Sequence, residues 1–374
     1  MTVTFNNIPS SCFNRNCSFT FSSSITPSLS SISPQRGTRG TLVTLTGNGF
    51  TTNAQEVNVT IGEAPCHVTS ISETTIKCTA GQSSGGSHDV FVKIGNQGFA
   101  KHLSGQIRFT YEVHVSGIKP NKGSIGGGTY VVIAGDGFGL MLENGSVTIG
   151  GSVCSILSVN LTEISCVTTP HDVSNASITV AIDGKIGTLS NAFWYDSGVT
   201  PLISSMSIVE GGVSGGAEIF IQGSGFGVQK GTITIGSRPC DVSLYSNFLI
   251  KCTTPANAPG TYDVLICVDG KGCAVDATMG FRPPKFKYVL EVTGVSPSHG
   301  SIFGGTVLTV VGRGFSDNAS VISVNIGDVP CKVLSSRNTE ILCKTDASSV
   351  THYVDNIGLH PGKRTLLFAF NGFA

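Results

Sequence analysis

Charge is what this chain has least of. Asp, Glu, Lys and Arg make up 12% of its 374 residues and the formal net charge is +0, against about 25% charged residues in an ordinary soluble domain. No long-range field gathers nucleic acid or an anionic membrane, so neither is expected as a partner. No apolar run approaches the roughly 20 residues of a membrane span. Met1-Thr2-Val3-Thr4-Phe5 has neither the basic start nor the apolar stretch of a secretory signal. There is no Cys-x-x-Cys pair and no Asp-x-Asn-x-Asp calcium loop, so no metal or cofactor is expected. The histidines (His67, His88, His102, His114, His171, His299, His352 and His360) fall in no His-x-x-x-His or Glu-x-x-His spacing. With the acids scattered too, no catalytic set can be assembled, and the chain is not expected to be an enzyme.

What fills the space is Gly, Ser, Thr and Val, and they come in a repeat. Gly47-Asn48-Gly49-Phe50 leads to Cys66 and Cys78. Gly135-Asp136-Gly137-Phe138 leads to Cys154 and Cys166. Gly223-Ser224-Gly225-Phe226 leads to Cys240 and Cys252, and Gly312-Arg313-Gly314-Phe315 to Cys331 and Cys343. The two cysteines stand 12 positions apart every time, and successive repeats follow at 88, 86 and 91 positions. This is a tandem array of units just long enough for one small β-sandwich each.

A strand leads into each Gly-x-Gly-Phe. Val43 and Leu45, Val131 and Ile133, Ile219 and Ile221, and Leu308 and Val310 alternate with more variable residues, the period-2 pattern of a half-buried strand. The glycines supply a positive φ or a close backbone approach, and the phenylalanine turns back onto the core. A phosphate-binding reading fails: Leu140 and Val228 occupy the place of the third glycine, and no helical pattern follows. A second strand ends at Gly62, Gly150, Gly236 and Gly327, each four residues before the first cysteine.

Every one of the 12 cysteines has a local partner, since Cys12 with Cys17 and Cys267 with Cys273 complete the set. That is a disulfide framework from an oxidising compartment, with free buried thiols as the alternative. Each 12-residue pair closes a loop whose bridge is worth roughly 3 kcal/mol. Asn-x-Ser/Thr acceptors at Asn16, Asn58, Asn144, Asn160, Asn175 and Asn318 suit a secreted chain; Asn16, followed by Cys17, is the weakest.

Val3–Phe5 and Phe19–Phe21 read as two strands around Cys12 and Cys17, the last hairpin of an upstream repeat over residues 1–26. Complete units are expected at 27–112, 113–197 and 198–288, and a unit at 289–374 lacks its last strand, leaving an unpaired edge. Ile32-Ser33-Pro34, Ile118-Lys119-Pro120 and Val295-Ser296-Pro297 open three of them; Ile208-Val209-Glu210 opens the third without a proline. Aromatic closing strands are expected at Phe109-Thr110-Tyr111, Phe193-Trp194-Tyr195 and Phe281, with Trp194 packed in a core or junction. Arg282-Pro283-Pro284-Lys285-Phe286-Lys287 reads as a stiff connector.

The Ile-Ser-Pro opening, the Gly-Gly-Thr strand, the Gly-x-Gly-Phe turn and the spaced cysteines resemble the IPT/TIG domain, an immunoglobulin-like sandwich. Tandem copies with one cysteine pair each look most like the fibrocystin and fibrocystin-L family. The resemblance covers nearly the whole chain from Pro27. It implies an all-β, rod-like array of immunoglobulin-like sandwiches on the extracellular side of the plasma membrane. The implied role is a non-catalytic stalk or adhesion segment of a large surface glycoprotein. Its neighbours would be further repeats of the same parent chain, and its ligand a protein or glycan of unknown identity. A plexin-like ligand-binding ectodomain and an intracellular DNA-binding or dimerising module are the rival roles; zero net charge, the sequons and complete cysteine pairing speak against the second.

Overall fold

The computed structural model describes residues 4–5, 8–9, 19–139, 145–182, 184–229, 231–280, 282–348 and 366–370. Among them the regular structure is β-strand, broken only by three short 3₁₀ turns. The fold is all-β, built from immunoglobulin-like sandwiches in tandem. The chain falls into two compact units: residues 1–119, 131–166 and 177–192, and residues 120–130, 167–176 and 193–374.

The first sandwich, in the first unit, shows the plan. Strands Ser28–Ser33, Leu42–Asn48 and Thr75–Ala80 lie side by side on one face, and Val57–Ile61, Gly86–Ile94 and Arg108–Tyr111 on the other. Strand Ala64–Ile71 belongs to both: Cys66 pairs with Val59, and further along Val68 pairs with Cys78. The alternation read from sequence sets the faces. Val43, Leu45, Val59, Ile61, Val90 and Val92 are buried in one cluster, while Leu42, Asn58, Phe91 and Lys93 point outward. Each fully buried aliphatic side chain is worth about 1.5–3 kcal/mol, so this cluster outweighs the single cystine, which staples a fold the core already specifies.

Each Gly-x-Gly-Phe turn divides its labour between the two glycines. The first lies opposite a β-bulge that recurs in the opening strand of all four sandwiches, after Leu29, Val115, Ile203 and Val292. A Cβ on Gly47 would run into Ser28 O and the Phe50 ring, and Gly135, Gly223 and Gly312 are hemmed in the same way. The second glycine has φ of 76°, 81°, 79° and 82° at Gly49, Gly137, Gly225 and Gly314, the left-handed region that costs other residues about 1–2 kcal/mol. Phe50, Phe138, Phe226 and Phe315 are all buried.

The first unit also carries the sheet His114–Lys119, Tyr130–Asp136, Glu163–Val167 and Ser155–Val159 of the second sandwich. The second unit holds the third and fourth sandwiches. In the third, Glu210–Gly212 runs parallel to Lys287–Val289, just as Arg36–Gly37 runs beside Thr110–Tyr111 and Lys122–Gly123 beside Trp194–Tyr195. The third sandwich thus makes the same pairing without a proline in its opening segment. In the fourth, Leu366–Phe370 pairs with Ile322–Ile326, the place Gly86–Ile94 takes against Val57–Ile61.

Several expectations are corrected. Phe19–Phe21 is not a strand; both phenylalanines are exposed, and Thr4–Phe5 pairs instead with Ile8–Pro9. The closing aromatic strand of the third sandwich is Lys285–Val289, with Phe286 and Tyr288 buried, so Pro284-Lys285-Phe286-Lys287 is structure rather than connector. An Asx turn, in which Thr278 N and Oγ1 donate to Asp276 Oδ1, precedes this strand, which lies later in the chain than the other repeats suggest. Trp194 is half-exposed, because Phe193 and Tyr195 on either side take the inward positions. Cys12, Cys17, Asn16, Asn144 and Phe281 lie outside the described residues, as do residues 353–365 and 371–374 of the stretch where the open edge is expected.

Candidate functional site: cystine cores, repeat junctions and outer faces

The four 12-residue cysteine pairs are bonded and buried, with Cα–Cα distances of 5.4 Å for Cys66–Cys78, 5.6 Å for Cys154–Cys166, 5.8 Å for Cys240–Cys252 and 5.5 Å for Cys331–Cys343. The first cysteine of each pair sits at the corner where the chain passes between sheets. In the second and third sandwiches the strand breaks at that residue, into Ser152–Val153 and Ser155–Val159 around Cys154, and Arg238–Pro239 and Asp241–Tyr245 around Cys240. The bridge thus ties the corner to the neighbouring strand. Cys267 and Cys273 are bonded directly across the hairpin Gly260–Val268/Gly272–Cys273. No cysteine is free among the described residues.

Consecutive sandwiches meet through close backbone contacts and ion pairs at their rims. In the first unit, Gly85 N donates to Gly137 O at 2.9 Å, so the loop before Gly86 docks on the Gly-x-Gly-Phe turn of the next sandwich. Val113 is buried there, in contact range of any Cβ placed on Gly85 or Gly187. Arg39 Nε approaches Asp136 Oδ1 at 3.1 Å. In the second unit, Gly212 packs against Gly314, again the second glycine of such a turn. Arg313 bridges Glu210 at 3.2 Å and Glu291 at 2.9 Å, and its guanidinium holds the Glu291 carboxyl below the usual range.

The hairpin closed by Cys267–Cys273 makes a different junction, also within the second unit. Ser124 N and Thr129 Oγ1 both donate to Lys271 O at 2.9 Å, Cys273 N donates to Gly127 O at 2.7 Å, and Ser124 Oγ donates to Cys273 O. Ile125 N donates to Thr200 Oγ1 at 3.0 Å. Ser124 and Thr129 are fully buried. Sequence reasoning missed this site. Its one signal is Gly126, where the third and fourth units have Ser214 and Phe303: a side chain there would strike Cys273 O.

Three of the described histidines make scaffold contacts. His88 Nε2 bonds Ser84 O at 3.0 Å, His102 Nε2 bonds Val90 O at 2.9 Å, and His171 stacks on Tyr195 at 4.7 Å. Among the described residues no His/Cys/Asp/Glu group could hold a metal, and no helix is long and apolar enough to cross a membrane. Of the sequons described, Asn58 and Asn175 are exposed on strands. Asn160 and Asn318 have local work: Asn160 Oδ1 accepts from Thr162 N and Glu163 N at 2.8 Å, and Asn318 Oδ1 caps a 3₁₀ turn. Asn53, which is no sequon, caps the matching turn of the first sandwich, so the Asn318 side chain has a structural reason to be there.

The sequence pattern of the IPT/TIG domain matches residues 27–111, 114–195, 201–288 and 290–365. The chain belongs to the IPT/TIG domain family. Curated relatives include fibrocystin-L of Homo sapiens, 33% identical over 363 residues, and fibrocystin of Mus musculus, 26% identical over 357 residues. These alignments cover 95% and 92% of this chain but 8% of each relative, so the chain spans about a twelfth of their length. Plexin-2 of Caenorhabditis elegans is 23% identical over 201 residues, 52% of this chain and 11% of that protein. Among solved structures, the Plexin A4 full extracellular region aligns with 92% of this chain and 29% of its own, at 20% identity and a TM-score of 0.30. The IPT/TIG repeats here differ from antibody-type sandwiches in their cystine, which joins neighbouring strands at a corner instead of bridging the two sheets between distant strands.

Proposed function

We propose that this chain is a non-catalytic extracellular segment of a large cell-surface glycoprotein resembling fibrocystin-L. Its IPT/TIG units, at 27–112, 113–197, 198–288 and 289–374, space and display binding surfaces. The observation that carries the reading is that each unit closes its core over a buried cystine, an arrangement characteristic of an oxidising compartment. Relation to fibrocystin-L over nearly the whole chain supports it. Near-zero charge leaves nothing to attract a phosphate backbone, which disfavours an intracellular DNA-binding role.

Export tests this directly. Behind an added signal peptide in mammalian cells, the chain should be secreted as a soluble, N-glycosylated protein. Retention and degradation in the secretory pathway, together with good folding in a reducing cytosol, would overturn the reading.

A further inference from the structure

The outer face of the first sandwich carries an aromatic patch with a glycan acceptor beside it. Phe99 is 64% exposed and Phe91 40% exposed, and their rings meet edge to face with centroids 6.3 Å apart. With Thr60, Ala100, His102 and Gln106 they line an open groove. The two phenylalanines in contact form an exposed apolar patch that is not part of the core.

Strand register shows what lies closest. Asn58 pairs with Lys93, and Lys93 pairs with Phe99, so these three side chains stand in one row across three strands. Thr60 pairs with Phe91 in the next row. Both residues that define the sequon Asn58-Val59-Thr60 therefore sit on the aromatic face, while Val59 between them is buried. Directly opposite side chains on a sheet start about 5 Å apart and diagonal ones about 7–8 Å. From Asn58, the Phe91 ring is the diagonal neighbour and Phe99 lies one strand beyond. Lys93, exposed, stands between them in the same row. The Asn58 side chain is exposed and makes no hydrogen bond, unlike those of Asn160 and Asn318, which are engaged in local turns.

We propose that Asn58 carries an N-linked glycan and that the first sugars of that glycan lie on the Phe91/Phe99 patch as its permanent cover. N-acetylglucosamine has an apolar face of ring C–H groups and an acetamide methyl, suited to an aromatic surface, while its hydroxyls and acetamide can bond to Gln106 and Lys93 at the rim. The occupant is fixed by attachment: the sugar is delivered at high effective concentration to a patch within reach of its own linkage. The stem of the glycan thereby becomes part of the fold of this unit, and the outer face of the first sandwich is closed to protein partners. This inference rests on the extracellular reading above.

The experiment uses the four-repeat chain secreted from mammalian cells, with occupancy at each sequon read by peptide mass spectrometry. Hydrogen exchange is then followed over Val57–Ile61 and Gly86–Phe99. Asn58 should be occupied, and trimming to a single N-acetylglucosamine should keep these segments protected. N58Q should raise their exchange several-fold and lower the melting temperature of this unit by about 4–8 °C. F99A should erase the difference between the glycosylated and N58Q chains. Three results overturn the proposal while leaving the extracellular reading intact: Asn58 bare with Asn160 or Asn175 occupied, equal exchange with and without the Asn58 glycan, or a free oligosaccharide that binds the patch of the glycosylated chain. Free thiols and no occupied sequon anywhere would bring down the extracellular reading itself.

Discussion

Cys66 and Cys78 are bonded although neither is the other's cross-strand partner: Cys66 stands opposite Ala80, and Cys78 opposite Val68. The bridge is a diagonal, set where strand Ala64–Ile71 leaves one sheet for the other. It holds the corner rather than the two sheets.

That position gives a size to its loss. Cys66→Ala with Cys78→Ala should lower the stability of the first sandwich by roughly 3 kcal/mol, the chain-entropy value for a loop of this length. Hydrogen exchange in the intact chain checks it: strands Leu42–Asn48 and Thr75–Ala80 should lose protection, while Glu218–Ser224 in the third sandwich should not change. An unchanged first sandwich would mean that the core alone fixes the corner.

The glycines of Gly47-Asn48-Gly49 should respond differently to the same methyl group. G49A places alanine at φ of 76° and should cost about 1–2 kcal/mol. G47A drives a Cβ into Ser28 O and the Phe50 ring. Relief requires moving both the bulged strand and a core phenylalanine, so its cost should exceed that of G49A and reach the upper range for overpacking, about 3 kcal/mol. Denaturant titration of both variants ranks them; equal costs would contradict the division of roles.

Three equivalent tyrosines differ in one bond. Tyr288 Oη donates to Pro255 O at 2.7 Å, while the buried hydroxyls of Tyr111 and Tyr195 have no hydrogen-bond partner. Y288F should therefore cost about 1 kcal/mol, and Y111F and Y195F should be neutral or stabilising. Thermal unfolding of the single variants tests the order.

Burial pushes all three phenols up to about 12, from an unfolded value near 10. Below pH 10 both states hold the proton and stability is unaffected. Between about pH 10 and 12 the unfolded chain releases a proton that the folded chain retains, so stability falls as pH rises. Urea midpoints from pH 8 to pH 11.5 should show this decline, and the triple Tyr→Phe variant should flatten it.

Ser124 tests the junction in the second unit. S124A removes the bond to Cys273 O and the one that Ser124 Oγ accepts from Gly126 N. The buried Cys273 carbonyl loses its partner, at about 1–3 kcal/mol if nothing replaces it, and the half-buried Gly126 N–H loses one too. Exchange at Lys271–Val275 should rise while Ile233 and Ile266, inside the third sandwich, stay protected. Unchanged exchange at Cys273 would show that the junction does not depend on this hydroxyl.

The repeated features were legible because they are local. Alternation put Val131 and Ile133 in the core, and a fixed spacing brought Cys154 to Cys166, since a strand and a short loop leave few other geometries. Trp194 was misjudged because type suggested burial, while register, set by Phe193 and Tyr195, turned it outward. Phe286 and Tyr288 were hidden behind Pro283-Pro284, which reads as a linker, and by the turn at Asp276. The contact of Ser124 with Cys273 joins residues 149 positions apart, and only Gly126 hints at it. The row from Asn58 to Phe99 likewise depends on register across three strands.

The most direct test of the central claim is intact mass with thiol alkylation, followed by non-reduced peptide mapping, on the secreted chain. The account predicts no alkylated cysteine and linked peptides for Cys66–Cys78, Cys154–Cys166, Cys240–Cys252 and Cys331–Cys343. Twelve free thiols in a folded, unglycosylated protein would contradict it and return the intracellular role to first place.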